Sequence, residues 1–224
     1  GNDSMDTIKK LSDYAILNGS TIKFMGVPKT IDNDLAVTDH TPGYGSAAKY
    51  IASITKEVIR DGLLYGTKSV TILEIMGRNA GWLTGAAALA KGEDCEGPDM
   101  IFLPEIPFDV DEFMKKSEQL QKEKSSVVVA VSEGVKVADG RYVCELTDNI
   151  DYVDAFGHRQ LTGTARYLAE RISREVGCKT RAIEFNSLQR CASHIVGRVD
   201  ITEAFQVGGA AVKAAFEGET AKMI

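Results

Sequence analysis

Ser69-Val-Thr-Ile-Leu-Glu-Ile75 is apolar or β-branched at five of its seven positions. Such a run is typical of a strand that is buried on both faces of a parallel sheet. The turn Met76-Gly-Arg78 follows it, and the alanine-rich residues 82–90 then predict a helix. Ser126-Val-Val-Val-Ala-Val131 repeats the strand pattern and ends at the turn Ser132-Glu-Gly134. Strands that alternate with helices predict the α/β class with mainly parallel sheets.

The remaining segments continue this alternation. Apolar periodicity predicts strands at residues 21–25, 98–103 and 180–185, helices at residues 45–60, 110–123, 157–177 and 201–217, a loop at 145–154, and entry into a strand at 222–224. Residues 1–4 are expected to form a loop that opens an amphipathic helix at residues 5–15, with Ser4 or a neighbour as its cap. Small residues at positions 208–211 permit close packing of the last helix.

Length and composition are those of an ordinary globular protein. At 224 residues the chain can bury a sizeable core in one or two domains. Its formal net charge of −6 offers no general attraction to nucleic acid or to an anionic membrane. The four cysteines lack metal-ligand spacing, the three histidines form no close pair, and no apolar run is long enough to cross a membrane. We therefore expect a cytoplasmic protein with reduced thiols and without structural zinc.

Polar and charged side chains concentrate in Gly26-Val-Pro-Lys-Thr-Ile-Asp-Asn-Asp-Leu35, which follows a predicted strand. Loops at the carboxyl ends of parallel strands bind ligands in α/β proteins, because the sheet holds them in place. Asp32 and Asp34 offer one carboxylate for a substrate hydroxyl group and one for a metal or the backbone. Lys29 and Thr30 are residue types that hold phosphoryl oxygens. The alternative is that Asp, Asn and Thr act here only as turn and capping residues.

Arg78 and Glu133 repeat this placement, since each lies just past the end of a predicted buried strand. A guanidinium group near a transferred phosphoryl group neutralises charge that develops in the transition state. Ser4 stands at a predicted helix amino terminus, where unpaired N–H groups attract phosphate. The alternatives are that Arg78 only lies at a helix cap, that Glu133 only faces water and that Ser4 only belongs to a capped surface helix.

Six segments, in this order along the chain, resemble motifs of the phosphofructokinase family. They are Gly1-Asn-Asp-Ser4, Pro28-Lys-Thr-Ile-Asp-Asn-Asp34, Met76-Gly-Arg-Asn-Ala-Gly81, Ser132-Glu-Gly134, Thr180-Arg-Ala182 and Leu188-Gln-Arg190. The lysine form of the second segment resembles the pyrophosphate-dependent branch. The resemblance implies a phosphofructokinase-like fold with two domains and an active site in the cleft between them. Residues 1–44 and 188–224 would belong to the phosphate-donor domain and residues 45–187 to the sugar-phosphate domain.

The resemblance further implies transfer of a phosphoryl group from pyrophosphate, held with Mg²⁺, to the 1-hydroxyl group of fructose 6-phosphate. This reversible step of glycolysis gives fructose 1,6-bisphosphate. Asp32 is then the general base, Asp34 orients the site or the metal, and Lys29 holds phosphoryl oxygens together with Arg78. The residues implied to bind the sugar phosphate are Thr30, Met76, Gly77, Arg78, Glu133, Arg181 and Arg190. Arg181 resembles an arginine that acts across a subunit interface, so we expect a homo-oligomer, either a dimer or a tetramer.

Donor choice is expected to depend on Asp3 and Lys29, because family members that use ATP tend to have glycine at both positions. Asp3 would exclude the α-phosphate of a nucleotide, and Lys29 would pair with pyrophosphate oxygens. Ser4 would also bind the donor. Asp3, and more weakly Asn2, would contact the metal, although many members have aspartate at the position of Asn2.

Other readings stay open from the sequence. An ATP-dependent 6-phosphofructokinase is one alternative, and a subunit that binds sugar phosphate without catalysis is another, against which the intact Asp32 argues. Ser187 stands where many members have histidine or tyrosine, which weakens one sugar contact of the family. Because family members continue beyond both ends, we expect these 224 residues to be incomplete at both ends and inactive alone.

Overall fold

A computed structural model describes residues 2–147 and 161–224, with Asn2 and Asp3 described only in their backbone. The helices and strands of these residues are, in chain order, α1 (Asn2–Leu17), β1 (Met25–Gly26), α2 (Tyr44–Leu63), β2 (Ser69–Ile75), α3 (Trp82–Ala86), β3 (Met100–Phe102), α4 (Val110–Glu123), β4 (Ser126–Ser132), α5 (Thr164–Glu175), β5 (Lys179–Glu184), α6 (Leu188–Cys191), α7 (Arg198–Phe216) and β6 (Lys222–Met223). Short 3-10 helices lie at Ala87–Ala90, Val143–Leu146 and Ser193–Ile195. No helix within these ranges is long and apolar enough to cross a lipid bilayer.

Two compact units make up the chain. Unit 1 consists of Gly1–Ser46 and Val196–Ile224, and unit 2 consists of Ala47–Ile195. The sequence predicted domain boundaries after residues 44 and 187.

Unit 2 is built on a four-stranded parallel sheet with the strand order β3-β4-β2-β5. Every residue of β2 and of β4 is buried, in keeping with their nearly continuous apolar runs. The register pairs Ser69 with Ser126 and Ile75 with Ser132, so β2 and β4 end side by side. The predicted α/β class with parallel sheets is therefore confirmed, and the turns that follow these two strands lie together.

Helices α4 and α5 pack into one core cluster with this sheet. The cluster contains the buried apolar residues Val70, Ile72, Met100, Phe108, Phe113, Met114, Val127, Val129, Val131, Val135, Val143, Ala165, Leu168, Ala169 and Ile172. Asp109 caps α4, because its side chain accepts the N–H of Glu112 at 2.9 Å. The predicted helices at 45–60, 82–90 and 110–123 are confirmed with small shifts of their ends.

Unit 1 contains a two-stranded parallel sheet, in which Met25 pairs with Lys222 and Gly26 pairs with Met223. The strand entry predicted at residues 222–224 is thus confirmed. The strand predicted at residues 21–25 is wrong for most of its length, since residues 21–23 are exposed outside any strand. Alternation alone does not make a strand, because the backbone also needs a neighbouring strand to bond.

The amino-terminal helix begins earlier than predicted. Helix α1 begins at Asn2, so Ser4 lies in its first turn and is not its cap. Exposed ion pairs four residues apart, such as the one between Lys10 and Asp6, support the following turns. The predicted loop at residues 1–4 is therefore wrong from residue 2 onward.

The helix predicted at residues 157–177 begins only at Thr164. Gly163 precedes it with a φ of 105°, a left-handed conformation that does not continue a helix. Residues 157–160 lie outside the described residues, as do residues 148–154 of the predicted loop. The glycine stop is confirmed, because Gly177 has a φ of 72° just after the last turn.

Within the described residues, the glycines that would permit close packing of the last helix face open space. A Cβ atom placed at Gly208 or Gly209 of α7 would meet no neighbouring atom within 4 Å in the described part of the chain. The small residues here are exposed or half-buried, apart from Ala211.

Candidate active site

The segment from Thr30 to Thr41 in unit 1 closes on itself through its own side chains. The Thr30 hydroxyl oxygen accepts the N–H of Asp32 at 3.1 Å, and the Thr41 hydroxyl donates to the Thr30 carbonyl at 2.7 Å. The Asn33 side-chain oxygen accepts the N–H of Thr41 at 2.9 Å. Asn33 has a φ of 54°, which asparagine tolerates better than most residues. Asp32 is thus fixed on an internally bonded loop.

Exposure divides the predicted residues of this loop into two groups. Thr30 is buried and Asp32 is half-buried, whereas Lys29 and Asp34 are exposed. Turn chemistry, the alternative that the sequence left open, accounts for Thr30 and for Asn33. It does not account for Lys29 and Asp34, whose charged groups are accessible to a ligand from solution.

Asp200 fixes the far end of the same loop, and the sequence analysis missed it. Its carboxylate is buried and accepts the N–H of Gly43 at 2.8 Å and the N–H of Ser46 at 2.6 Å, together with the Ser46 hydroxyl. The Ser46 hydroxyl oxygen in turn accepts the N–H of Gly197 at 2.8 Å. Asp200 therefore joins the first turn of α7 to the first turn of α2. An aspartate immediately before the helix predicted at residues 201–217 was the available signal, because aspartate is favoured at the start of a helix.

The turn after β2 is held by the end of β4. The Ser132 hydroxyl donates to the Gly77 carbonyl at 2.6 Å, and the Glu133 carboxylate accepts the N–H of Gly77 at 3.4 Å. A Cβ atom at Gly134 would overlap the carbonyl oxygen of Arg78, so the two backbones touch there. Gly77 has a φ of 136°, which only glycine adopts readily. The predicted residues of both turns therefore lie together.

Helix α6 joins this group through Gln189. The Gln189 side-chain oxygen accepts the N–H of Met76 at 3.2 Å. Arg190 follows Gln189 in the chain and is exposed, as is Ser187. The segment that carries Arg190 is therefore tied to the end of β2.

Arg181 does not belong to this group. It pairs in register with Thr71 on β2, four residues before Ile75. At roughly 3.3 Å per residue, the Arg181 backbone lies about 13 Å along the strand from the level of Ile75. Its guanidinium carbon lies 5.9 Å from the centre of the Tyr65 ring. The implied role across a subunit interface stays a prediction.

Glu74 is a second residue that sequence analysis missed. It is buried in β2, and its carboxylate accepts the N–H groups of Gly163 at 3.2 Å and Ala165 at 2.7 Å, at the start of α5. Burial raises its pKa to about 7, opposed by the Ala165 hydrogen bond and assisted by the nearby Glu184. A glutamate inside an otherwise apolar strand was the signal.

A cavity of about 920 Å³ lies at the opposite end of the sheet of unit 2. Its lining includes Asp99, which precedes β3, and Ser126, the first residue of β4. Two of its lining carboxylates are paired, since Lys124 lies 2.7 Å from the Asp99 carboxylate and Lys56 lies 2.6 Å from that of Asp94. This cavity is remote from the predicted site residues of unit 2 that follow β2 and β4.

The comparison with known proteins decides the family. Residues 1–215 match the family model described as phosphofructokinase. The chain belongs to the phosphofructokinase family. It is 40% identical over 225 aligned residues to the pyrophosphate--fructose 6-phosphate 1-phosphotransferase of Halomonas elongata, covering 100% of this chain and 53% of that protein. The corresponding protein of Xanthomonas campestris pv. campestris is 44% identical, with 99% of this chain and 53% of the relative covered.

A solved phosphofructokinase agrees in fold. The crystal structure of the pyrophosphate-dependent phosphofructokinase from Marinobacter aquaeolei superposes with a TM-score of 0.79 at 38% identity, covering 100% of this chain and 52% of that one. The resemblance to the family is thereby confirmed. The chain spans about half the length of the relatives that it matches.

Phosphofructokinases are phosphotransferases that generally need a divalent metal. Within the described residues, no three metal-ligating side chains form a cluster. Asp32 and Asp34 supply two carboxylates in one loop, and the side chains of Asn2 and Asp3 lie outside the described residues. One or two carboxylates fit a hard cation that keeps several waters and binds substrate phosphates.

Proposed function

We propose that the whole protein transfers a phosphoryl group from pyrophosphate to the 1-hydroxyl group of fructose 6-phosphate, giving fructose 1,6-bisphosphate in glycolysis. The observation that carries the proposal is the bonded loop around Asp32, in a chain that aligns over its full length with pyrophosphate-dependent relatives. A fixed, half-buried carboxylate is suited to accept a proton from a substrate hydroxyl group.

In this proposal Asp32 is the general base, and Asp34 orients the reacting groups or the metal. Lys29 and Arg78 hold phosphoryl oxygens, since cations placed at that group neutralise its developing charge. Mg²⁺, held by Asp3 and more weakly by Asn2, would supply further neutralisation of phosphate charge when bound.

The sugar phosphate is assigned to unit 2 and the phosphate donor to unit 1. The shared turns after β2 and β4 support this, because they gather Met76, Gly77, Arg78 and Glu133, while Arg190 is tied in through its neighbour Gln189. Thr30 is assigned to the sugar phosphate by the family resemblance alone. Arg181 is remote from that group along its strand. It is assigned to the sugar phosphate bound by a second subunit of a dimer or tetramer. A cytoplasmic location is part of the same proposal.

The donor is assigned as pyrophosphate through Asp3, Ser4 and Lys29. An exposed ammonium group at position 29 is free to approach pyrophosphate oxygens. The assignment of Asp3 rests on the family resemblance, as does the assignment of Ser4.

A donor comparison in the whole protein tests the proposal. With Mg²⁺ and fructose 6-phosphate, we expect kcat/KM with pyrophosphate to exceed that with ATP at least about 100-fold. Lys29→Gly should lose pyrophosphate-dependent turnover, Asp3→Gly should admit some ATP, and the double variant should combine both effects. Lys23→Gly is the matched control, because Lys23 is also an exposed lysine and lies shortly before Lys29 in the chain.

Two outcomes would contradict the proposal. A preference for ATP would overturn the donor assignment and favour an ATP-dependent 6-phosphofructokinase. Binding of fructose 6-phosphate without turnover from either donor would favour a non-catalytic subunit.

A further inference from the structure

Gln189 is a buried amide side chain with both of its polar atoms bonded. It is 2% exposed. Its oxygen accepts the N–H of Met76 at 3.2 Å, and its nitrogen donates to the carbonyl of Asn186 at 3.0 Å. Asn186 has a φ of 45°, at the point where the chain turns away after β5. One side chain therefore joins two backbone segments.

The bond to Met76 holds the turn after β2 on the side that faces β5. On the β4 side, Gly77 is bonded through its N–H to Glu133 and through its carbonyl to Ser132. On the β5 side, the last bond of the strand backbone joins the N–H of Phe185 to the carbonyl of Glu74 at 3.0 Å. The next N–H group on that side belongs to Met76, just after β2, and it donates to Gln189. Buried backbone groups need such partners, and here a side chain replaces the strand.

We infer that Gln189 is a positioning residue, which sets the turn Met76-Gly-Arg78 and the neighbouring Arg190 at a fixed separation for binding of the sugar phosphate. The inference rests on the proposed function. Gln189 itself need not touch the substrate, because it acts through the residue that follows it and through the N–H of Met76. Loss of the link lets the two segments move independently, and a displacement of about 1 Å weakens a multi-point contact strongly.

The inference predicts a particular kinetic change. The turn that carries Arg78 stays held on the β4 side through the bonds of Gly77 to Ser132 and Glu133, so loss of the Gln189 bonds displaces chiefly Arg190. Arg190 is assigned to holding the sugar phosphate, so its misplacement weakens ground-state binding more than the chemical step. Gln189→Met, which keeps the volume and removes both hydrogen bonds, should raise KM for fructose 6-phosphate about 10-fold and lower kcat less than about 3-fold.

Gln121 offers a matched control at the other end of the same strand. It is 3% exposed, and its side-chain nitrogen donates to the carbonyl of Ser69, the first residue of β2, at 2.9 Å. Gln121→Met makes the same substitution in a second buried side chain that bonds to the backbone of β2, here from helix α4 and away from the predicted site. It should leave KM for fructose 6-phosphate within about 2-fold of the parent value.

The experiment is steady-state kinetics of the whole protein with Mg²⁺, pyrophosphate and varied fructose 6-phosphate, alongside thermal unfolding. Equal KM values for the two methionine variants, or a KM for Gln189→Met that matches the parent, would overturn the inference. A parent that does not turn over fructose 6-phosphate would overturn the proposed function instead, so the two failures are distinguishable.

Gln189→Glu tests the positioning role of Gln189 if Gln189→Met does not fold. Its side chain keeps the shape of glutamine, and in the protonated form it keeps both bonds. Ionisation removes the donor and adds a carboxylate to a small cavity lined by Glu74, Glu133 and Glu184, the last 3.6 Å from Arg166. The ratio of its KM to that of the parent should therefore rise several-fold from about pH 6 to about pH 8. A ratio that stays at one throughout would overturn the inference.

Discussion

Asp32 is held by its neighbours in the loop, and this arrangement gives it a testable role. Replacement by asparagine keeps the size of the side chain and removes the base. We expect Asp32→Asn in the whole protein to lower kcat by about 10²-fold to 10⁴-fold, with a much smaller change in sugar-phosphate affinity. Steady-state kinetics together with binding of fructose 6-phosphate measure both quantities.

Asp39→Asn is the control for this change. Asp39 is exposed in the same loop, and only its backbone carbonyl contacts Asn33, at 3.4 Å. It should keep turnover close to the parent value. If Asp32→Asn also stays within a few-fold of the parent, another group accepts the proton.

At this scale the sequence predicted which groups would meet a ligand and missed the groups that hold their segments in place. Gln189 bonds to a residue 113 positions away, Glu74 to one 89 positions away, and Asp200 to one 154 positions away. A polar residue in an apolar strand or a first helical turn is visible in the sequence. Its partner is not, because pairings over such separations depend on how the strands and helices assemble.

Glu74 connects two elements, strand β2 and helix α5. Its pKa of about 7 lies above the ordinary value of 4.5, so the folded protein binds this proton more tightly than the unfolded chain does. Stability is then fully supported by this group below about pH 4.5, declines as pH rises, and levels off above about pH 7. The loss across this window amounts to about 3 kcal/mol.

Replacement of Glu74 by glutamine tests this dependence. We expect Glu74→Gln to lose the decline in unfolding free energy between about pH 5 and about pH 8 that the parent shows in urea. Glu170→Gln, on the exposed side of α5, should keep the decline of the parent. Identical pH profiles for the parent and Glu74→Gln would show that Glu74 does not titrate in this range.

Element prediction succeeded where burial dictated the pattern. The apolar runs of β2 and β4 predict strands buried on both faces, and both strands are buried throughout. Residues 21–25 alternate equally well, but of these only Met25 pairs with another strand, together with the following Gly26. Periodicity describes how a segment suits a sheet, whereas pairing depends on a second segment far away in the chain.

The parallel sheet of unit 2 sets the stability pattern expected for the molecule. β2 and β4 are central and buried, whereas β5 lies at the edge of the described sheet and is mostly half-buried. We expect the backbone amides of β2 and β4 to exchange hydrogen more slowly than those of β5, because opening them requires disruption of the core. Hydrogen exchange followed by mass spectrometry measures this, and equal rates would contradict it.

The order of the elements was enough to predict the fold class of the whole chain, because alternating strands and helices favour few arrangements. The domain boundaries after residues 44 and 187 were implied by the family resemblance, and they stay a prediction. The compact units divide after Ser46 and Ile195, inside helix α2 and after α6, and local patterns mark neither point.

The contact between Gly134 and the backbone of Arg78 has a mechanical consequence. No side chain separates the turns that follow β2 and β4, so their backbones are in direct contact. The turn that carries Arg78 is therefore as rigid as the sheet that supports it. A charged group on a flexible loop would occupy many positions. The backbone of Arg78 is instead held in place by two buried strands in the free protein, before any ligand binds.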